Sequence, residues 1–246
     1  MKFVFILFCS IFVLIIVWHL LTKKYINPYT LTILFGKKGC GKSTLLQKLA
    51  VYYKKRGYNI YCNIGDSSLK DVIAIPINDL PRLSEAGHAL FHYKDPSLAQ
   101  KIQEDYSKKG LTCPPYVKDH SVILCDEINL LWDNRNFKNF SPDLQRYFRL
   151  QRHYHHIFIG FSQTYDCDKK IRDLADSLLI CTRVARVWIR TKAYVKKVVV
   201  VSPENDNSRD TATMTDDFIP LGLFHDLFSQ FQAWLPKWVK YHDSFK

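Results

Sequence analysis

The chain has 246 residues, about one and a half domains at roughly 150 residues each, and 47% hydrophobic with 24% charged residues exclude a disordered, collagenous or coiled-coil protein. Its 35 Lys and Arg against 23 Asp and Glu leave +12, and no acidic residue precedes Asp66. Such a concentrated basic bias suits an anionic partner, whether nucleotide, nucleic acid or the anionic face of a membrane, while seven cysteines without a CxxC pair argue against a zinc site or disulfide framework and fit a reducing compartment.

From Phe3 to Leu21 the chain runs nineteen residues without a charge, about 28 Å as a helix and one bilayer core. The run exceeds the apolar stretch of a cleaved signal peptide, and no small-x-small cleavage site follows it. An uncleaved single-pass anchor over residues 1–24 is therefore expected. Lys23, Lys24, Lys37 and Lys38 follow it, against Lys2 alone before it, so the positive-inside rule keeps the rest in the cytoplasm.

After a linker with Asn27 and Pro28, Leu31 to Phe35 is apolar throughout. A glycine-rich loop follows, then a helical face made of Leu45, Leu46, Leu49, Ala50 and Tyr53. Apolar runs recur at Asn59–Asn63, Val72–Ile75, Ser121–Cys125, Ile157–Phe161 and Leu178–Cys181. That spacing is the rhythm of an α/β domain over residues 25–201, with a mainly parallel sheet and crossover helices. Asp95–Lys109 and Pro142–His156 read as amphipathic helices. Arg183–Val201 is rich in β-branched residues and predicts a terminal hairpin, and Ser202–Asp217 reads as a polar loop. The stretch from Phe218 to Lys246 is aromatic, with Phe224, Phe228, Phe231, Trp234 and Trp238. It suits core packing, interfacial membrane contact or docking of a neighbouring subunit.

Gly36-Lys37-Lys38-Gly39-Cys40-Gly41-Lys42-Ser43 fits GxxxxGK[ST] between a strand and a helix, the context of a P-loop. Its backbone N–H groups and the helix dipole would cradle ATP phosphates. Lys42 would reach the β- and γ-phosphates and Ser43 would ligate Mg2+. Thr44 adjoins the loop but reads more as a helix residue than as a ligand. Val122-Ile123-Leu124-Cys125-Asp126-Glu127 is an apolar strand ending in two carboxylates, Asp126 for the metal and Glu127 to orient the attacking water.

Gln163 ends the next strand, where it either senses the γ-phosphate or simply closes a turn. Arg149, Arg152 and His153 share a helix face; one of the arginines serves as a finger to a neighbouring subunit's nucleotide, or the face is a solvated or DNA-facing basic surface. Lys48, Lys54, Lys55 and Arg56 crowd the helix after the loop, and Arg183, Arg186, Arg190, Lys192, Lys196 and Lys197 decorate the hairpin without an acid. The hairpin set is the better candidate for DNA contact, against an edge protected by charge.

The ordered set of motifs resembles the zonular occludens toxin (Zot) proteins and filamentous-phage assembly ATPases, within the FtsK–HerA-like P-loop group. Asn63-Ile64 is similar to that family's Thr-Asn-Ile element. Asp126-Glu127 with Trp132 and Arg135, Arg152-His153, Ser162-Gln163 and Ile171-Arg172 then follow in the family's order over about residues 30 to 200. The family commonly continues Asp-Glu-Ala-Gln where this chain has Ile128-Asn129, and many members place the membrane helix after the ATPase domain where here the apolar segment comes first. The resemblance implies a homo-oligomeric ATPase at the inner or cytoplasmic membrane of a host cell. It would drive filamentous-phage virion assembly, extruding single-stranded DNA while coat protein replaces the DNA's cytoplasmic binding protein. A conjugative or DNA-packaging coupling ATPase is the alternative enzyme, and a nucleotide-regulated membrane scaffold with little hydrolysis the alternative of another class.

Overall fold

The computed structural model describes residues 2–22, 29–64, 72–132, 140–165, 167–201, 213–222, 226 and 229–238, with the side chains of 2–6, 8, 19, 20, 22, 197–201 and 213–217 excepted. The expectations that rest on Lys23, Lys24, Asn27, Pro28, Arg135, Phe224, Phe228, residues 202–212 and residues 239–246 lie outside the described residues.

The N-terminal apolar run forms helix α1 (Lys2–Thr22). Among the described residues no helix is long and apolar enough to cross a membrane.

Beyond it, the described residues form a nine-stranded sheet. Its strands are β1 (Leu31–Phe35), β2 (Asn59–Cys62), β3 (Ile73–Ala74), β4 (Ser121–Cys125), β5 (Ile157–Ser162), β6 (Ser177–Val184), β7 (Trp188–Val201), β8 (Thr213–Pro220) and β9 (Ala233–Trp234). The order is β3-β2-β4-β5-β1-β6-β7-β8, with β9 pairing β7. Every pair from β3 to β6 is parallel, whereas β7 runs antiparallel to β6, β8 and β9. This is the mixed, mostly parallel sheet of a P-loop α/β fold. β1 and β4 are buried at every residue, because both faces of a parallel sheet are covered and its strands need apolar side chains on both sides.

One face carries α2 (Lys42–Lys54), whose Leu45, Leu46, Leu49, Ala50 and Tyr53 pack on Leu34, Ile60, Leu124, Ile159 and Leu179. The other carries α3 (Leu80–His92), α4 (Ser97–Lys108), α5 (Ile128–Leu131), α6 (Pro142–Leu150) and α7 (Lys169–Leu174). There Trp132, without exposed surface, sets its ring edge-on to Phe140 and Phe148 at 5.4 and 5.9 Å, a favoured aromatic geometry.

Four expectations change. The hairpin does not begin at Arg183: β6 is at once the parallel neighbour of β1 and the first arm, and the turn closes on Ala185 and Arg186, both left-handed at φ 47° and 61°. Such a turn matches strand twist and overrides a sequence that has no glycine there. Thr213–Asp217, expected in a polar loop, belongs to β8. Pro142–His156 is α-helical only to Leu150; a 3-10 turn over Gln151–Tyr154 ends on left-handed His155. Finally, α3 forms in a crossover whose sequence predicts a helix only over Asp95–Lys109, since Pro81 stands at its first turn and Gly87 interrupts its apolar spacing. Gly87 is needed there, because a Cβ would lie 1.9 Å from the Val117 carbonyl oxygen.

His156 anchors the start of β5. Its Nε2 donates to the Lys118 carbonyl at 3.0 Å, which leaves Nδ1 to accept from the Tyr147 hydroxyl at 2.9 Å. Burial pushes this imidazole down to about 4. The unfolded chain therefore takes a proton below about 6.5 that the folded chain refuses until about 4, so stability falls as pH falls across that window. Denaturant titrations from pH 7 to 4 are expected to lose up to about 3 kcal/mol on this account, and His156→Gln is expected to flatten that portion of the slope.

Candidate functional site at the strand ends

The site starts where β1 ends. Gly36 extends the ladder by donating to the Ser162 carbonyl at 3.1 Å, and a Cβ on it would meet Cys40 Sγ at 2.6 Å and Cys181 Cβ at 3.0 Å, so only glycine lets the loop turn here. Cys40 N–H closes the turn on the Lys37 carbonyl at 3.2 Å. Gly41 is left-handed at φ 100° and stands at the N-cap of α2; a Cβ there would lie 2.6 Å from Ile189 Cδ1. The first-turn N–H groups of α2 thus open toward the loop, with Ser43 beside them, as a phosphate site requires.

Lys42 is buried, and its Nζ donates to the carbonyls of Gly36 at 2.7 Å and Lys37 at 3.4 Å. The ammonium is thereby stretched back across its own loop. Thr44 is buried inside α2, a helix residue and not part of the loop surface. A hydrogen bond with the Cys181 thiol, and then the Lys42 charge, lowers the Cys40 thiol from its ordinary range.

The carboxylates end β4. Asp126 is nearly buried, and its Oδ1 accepts from the Glu127 N–H at 3.0 Å. Glu127 holds left-handed backbone, φ 51° and ψ 52°, a strained conformation for a non-glycine residue of the sort that gathers at functional sites. Two side chains fix this corner. Asn63 clamps the peptide of Asp126 from both sides: its Oδ1 accepts from Asp126 N–H and its Nδ2 donates to Asp126 C=O, each at 2.8 Å. Gln163 Nε2 donates to Glu127 Oε1.

The sheet order makes this assembly compact. Asn63, Asp126-Glu127, Ser162-Gln163 and Gly36 leave the C-terminal ends of β2, β4, β5 and β1, four consecutive strands. At about 4.8 Å per strand, the glycine loop and the carboxylates stand roughly 10 Å apart with Gln163 between them. Lys42, Ser43, Asp126, Glu127 and Gln163 are thus gathered at one edge.

Arg152 is not with them. It precedes β5 at the opposite edge of the sheet, is largely exposed, and approaches Asp176 at 3.5 Å. Asp176 in turn accepts from the N–H groups of Thr30 and Leu31 at 2.9 and 3.1 Å, where β1 begins. Arg149 is exposed on α6.

The basic sets also divide. Lys48 does not face solvent: it donates to the carbonyls of Gln230, at 2.6 Å, and Gln232, and burial pushes it down to about 8. Lys54, Lys55 and Arg56 are exposed. Arg183 turns back, its guanidinium donating to the Arg186 carbonyl at 2.7 Å and the Gly39 carbonyl at 3.4 Å. It therefore ties the hairpin turn to the glycine loop while remaining exposed, as are Arg186, Arg190 and Lys192. In the tail, Phe231, Ala233 and Leu235 are buried on the α2 face.

The donors available for a divalent cation are the Ser43 hydroxyl and the Asp126 and Glu127 carboxylates. Among the described residues no group of three or more His, Cys, Asp or Glu could hold a metal. Few, hard oxygen donors fit Mg2+, which keeps waters and shares its shell with phosphate.

Sequence reasoning did not single out Asn63 or Arg183 for these duties. Asn63 carried a signal, an amide at the end of a strand next to the carboxylate strand, but a backbone clamp needs the strand order to be seen.

No protein-family model matches the chain, and no curated protein matches it. Similar solved structures include the N-terminal domain of zonular occludens toxin from Neisseria meningitidis, at 15% identity and TM-score 0.42, with 68% of this chain and 84% of that one covered. The genome packaging NTPase B204 from Sulfolobus turreted icosahedral virus 2, in complex with AMP, is similar at 20% identity and TM-score 0.40 over 65% and 79%. The cytoplasmic domain of the Thermomonospora curvata type VII secretion ATPase EccC is similar at 18% and 0.41 over 72% and 26%. At TM-scores below 0.5 the fold assignment stands on the strand order and the glycine-rich loop themselves.

Replacing Asn63 by Ala leaves both polar groups of the Asp126 peptide without their partner, at about 1–3 kcal/mol. Asn63→Ala is expected to lower the unfolding free energy by about that amount, as read by denaturant titration beside the unsubstituted chain.

Proposed function

We propose that the chain is an Mg2+-dependent ATPase, anchored in the inner or cytoplasmic host membrane by α1 with its sheet domain in the cytoplasm. In this reading it is a homo-oligomeric motor of filamentous-phage assembly that extrudes single-stranded DNA. The observation that carries the enzymatic part is the alignment of Gly36, Gln163, Asp126-Glu127 and Asn63 on consecutive strand ends.

In the mechanism that follows, the loop N–H groups and the start of α2 hold the triphosphate. Lys42 exchanges its carbonyl partners for β- and γ-phosphate oxygens, which as anions are stronger acceptors. Ser43 and Asp126 are the residues that would hold Mg2+, which when bound neutralises phosphate charge. Glu127 orients the attacking water and takes its proton at a carboxylate oxygen. Gln163 fixes the direction of that carboxylate, so one side chain links the water-orienting group to the strand beside the loop.

The anchor is supported by the uncharged run and by the exposure of the described α1 side chains: Leu14, Trp18 and Leu21 expose 67%, 71% and 69% of their surface. An apolar helix so exposed needs an apolar surrounding. The phage-assembly reading is supported by the ordered motifs that resemble the Zot family. The exposed Arg186, Arg190 and Lys192 offer a basic surface for single-stranded DNA. DNA packaging or conjugative coupling is the runner-up among enzymes and shares the same site. A finger role for Arg152 requires the nucleotide of a neighbouring subunit, since its own lies across the sheet.

ATP hydrolysis by the full chain in detergent is expected to need Mg2+ and to fall at least 100-fold in Lys42→Ala and in Glu127→Gln. Glu127→Gln is expected to keep ATP binding, and a scaffold with little hydrolysis would instead keep function in that variant. The double charge reversal Arg186→Glu with Arg190→Glu is expected to weaken single-stranded DNA binding at least tenfold and to lower its salt slope by about 1.4, at roughly 0.7 per phosphate contact; unchanged affinity and slope in a filter-binding titration would remove the hairpin from the DNA surface.

A further inference from the structure

The glycine-rich loop borders a second feature. A cavity of about 570 Å³ opens beside it, lined by Phe35, Gly36, Lys37, Gln163, Tyr165 and Ile180, with Leu178, Tyr194 and Phe218 deeper along the sheet. Its origin is topological. The parallel strands β1, β3, β4 and β5 are each followed by helices that cover the sheet, but β6 turns directly into β7 as a hairpin. On the face carrying α7, Leu178 and Ile180 of β6 stand opposite Tyr194 and Lys192 of β7. Among the described residues no helix covers that patch, and Ile180 and Tyr165 remain 44% and 52% exposed.

The cavity has the polarity of a nucleotide. Lys37, Gly36 and Gln163 stand at the end shared with the phosphate loop and the carboxylate corner, Thr182 and Arg183 of β6 add two polar groups, and Phe35, Tyr165, Leu178, Ile180, Tyr194 and Phe218 supply an aromatic and aliphatic wall. Phe35 and Tyr165 lie tilted with ring centroids 4.8 Å apart, and the Arg172 guanidinium sits 4.6 Å from the Tyr165 centroid, so both neighbours hold that ring in place. The volume falls in the range of small-ligand pockets, which are mostly apolar with a few polar groups at one end. A triphosphate seated on the loop brings its ribose and base within reach of this recess, and a flat π-system is the ligand part that an aromatic wall recognises.

We infer that this cavity is the nucleobase subsite, with Tyr165 and Ile180 contacting the base while the glycine loop holds the phosphates. The inference rests on the ATPase reading and adds to it the residues by which the chain distinguishes a nucleotide from a bare polyphosphate. Because Tyr165 and Ile180 are both exposed, substitutions there leave the core intact.

The test is equilibrium binding of Mg–ATP and of Mg–tripolyphosphate to the detergent-solubilised full chain and to its Tyr165→Ala, Ile180→Trp and Lys42→Ala variants. Tyr165→Ala and Ile180→Trp, the second of which fills the recess, are each expected to weaken ATP at least tenfold and to leave tripolyphosphate within twofold. Lys42→Ala is expected to weaken both ligands. Unchanged ATP binding in the first two variants would overturn the subsite, and so would an equal loss of ATP and tripolyphosphate, which would place the effect on the loop. If Lys42→Ala alters neither ligand, the phosphate site falls and the base subsite falls with it, an outcome distinct from the other two.

Discussion

The pairing of β4 with β5 and of β5 with β1 is the constraint on which the site depends. A glycine loop and a pair of carboxylates lie 83 residues apart in sequence between Ser43 and Asp126, and only in-register parallel strands bring them to one edge. The registers Leu31↔Phe158 and Ile123↔Phe158 set three strand ends level. Gln163 then emerges between loop and carboxylates, where it can hold Glu127. Slippage of β5 by one residue would turn Phe158 and Phe161 out of their cores and reverse every side chain on the strand, so burial of the strand and geometry of the site are one requirement.

The carboxylate corner shows how local strain is held. Glu127 adopts a backbone conformation that costs on the order of 1 kcal/mol or more outside glycine. The Asn63 clamp on the Asp126 peptide, the Asp126 bond to Glu127 N–H and the Gln163 bond to the Glu127 carboxylate together over-determine it. The loop is braced in a similar way from behind. Ile189 and Leu235 close against Gly41, Arg183 bonds Gly39, and Lys48 secures the carbonyls of Gln230 and Gln232. The phosphate loop and its helix are therefore tied directly to the hairpin turn that exposes Arg186 and to the tail.

Much of this was legible in the sequence because its signals are local. A buried apolar run, a glycine pattern and an amphipathic repeat name β1, the loop and α2 without any knowledge of neighbours. Lys42, Ser43, Asp126, Glu127 and Gln163 follow from their positions at the ends of such runs. What was hidden depends on partners. Arg152 reads as a helix-face cation, and only its position at the start of β5 shows that it stands across the sheet from its own glycine loop. Lys48 looks like surface charge until the tail folds over it. Arg183 reads as one of a basic set, and only the left-handed turn at Ala185 and Arg186 shows its guanidinium reaching the Arg186 and Gly39 carbonyls. β8 was obscured because its polar residues pair along β7 in a strand whose composition resembles a loop. Asn63 is a short polar residue whose duty exists only because β2 neighbours β4.

The most direct measurement of the central claim is an experimental structure of the full chain with Mg2+ and a non-hydrolysable ATP analogue. The account predicts the triphosphate along the 36–43 loop, Lys42 Nζ moved from the Gly36 carbonyl to phosphate oxygens, and Glu127 and Gln163 facing the γ-phosphate. A nucleotide bound elsewhere, or Lys42 still held by Gly36 with the carboxylates turned away, would contradict it.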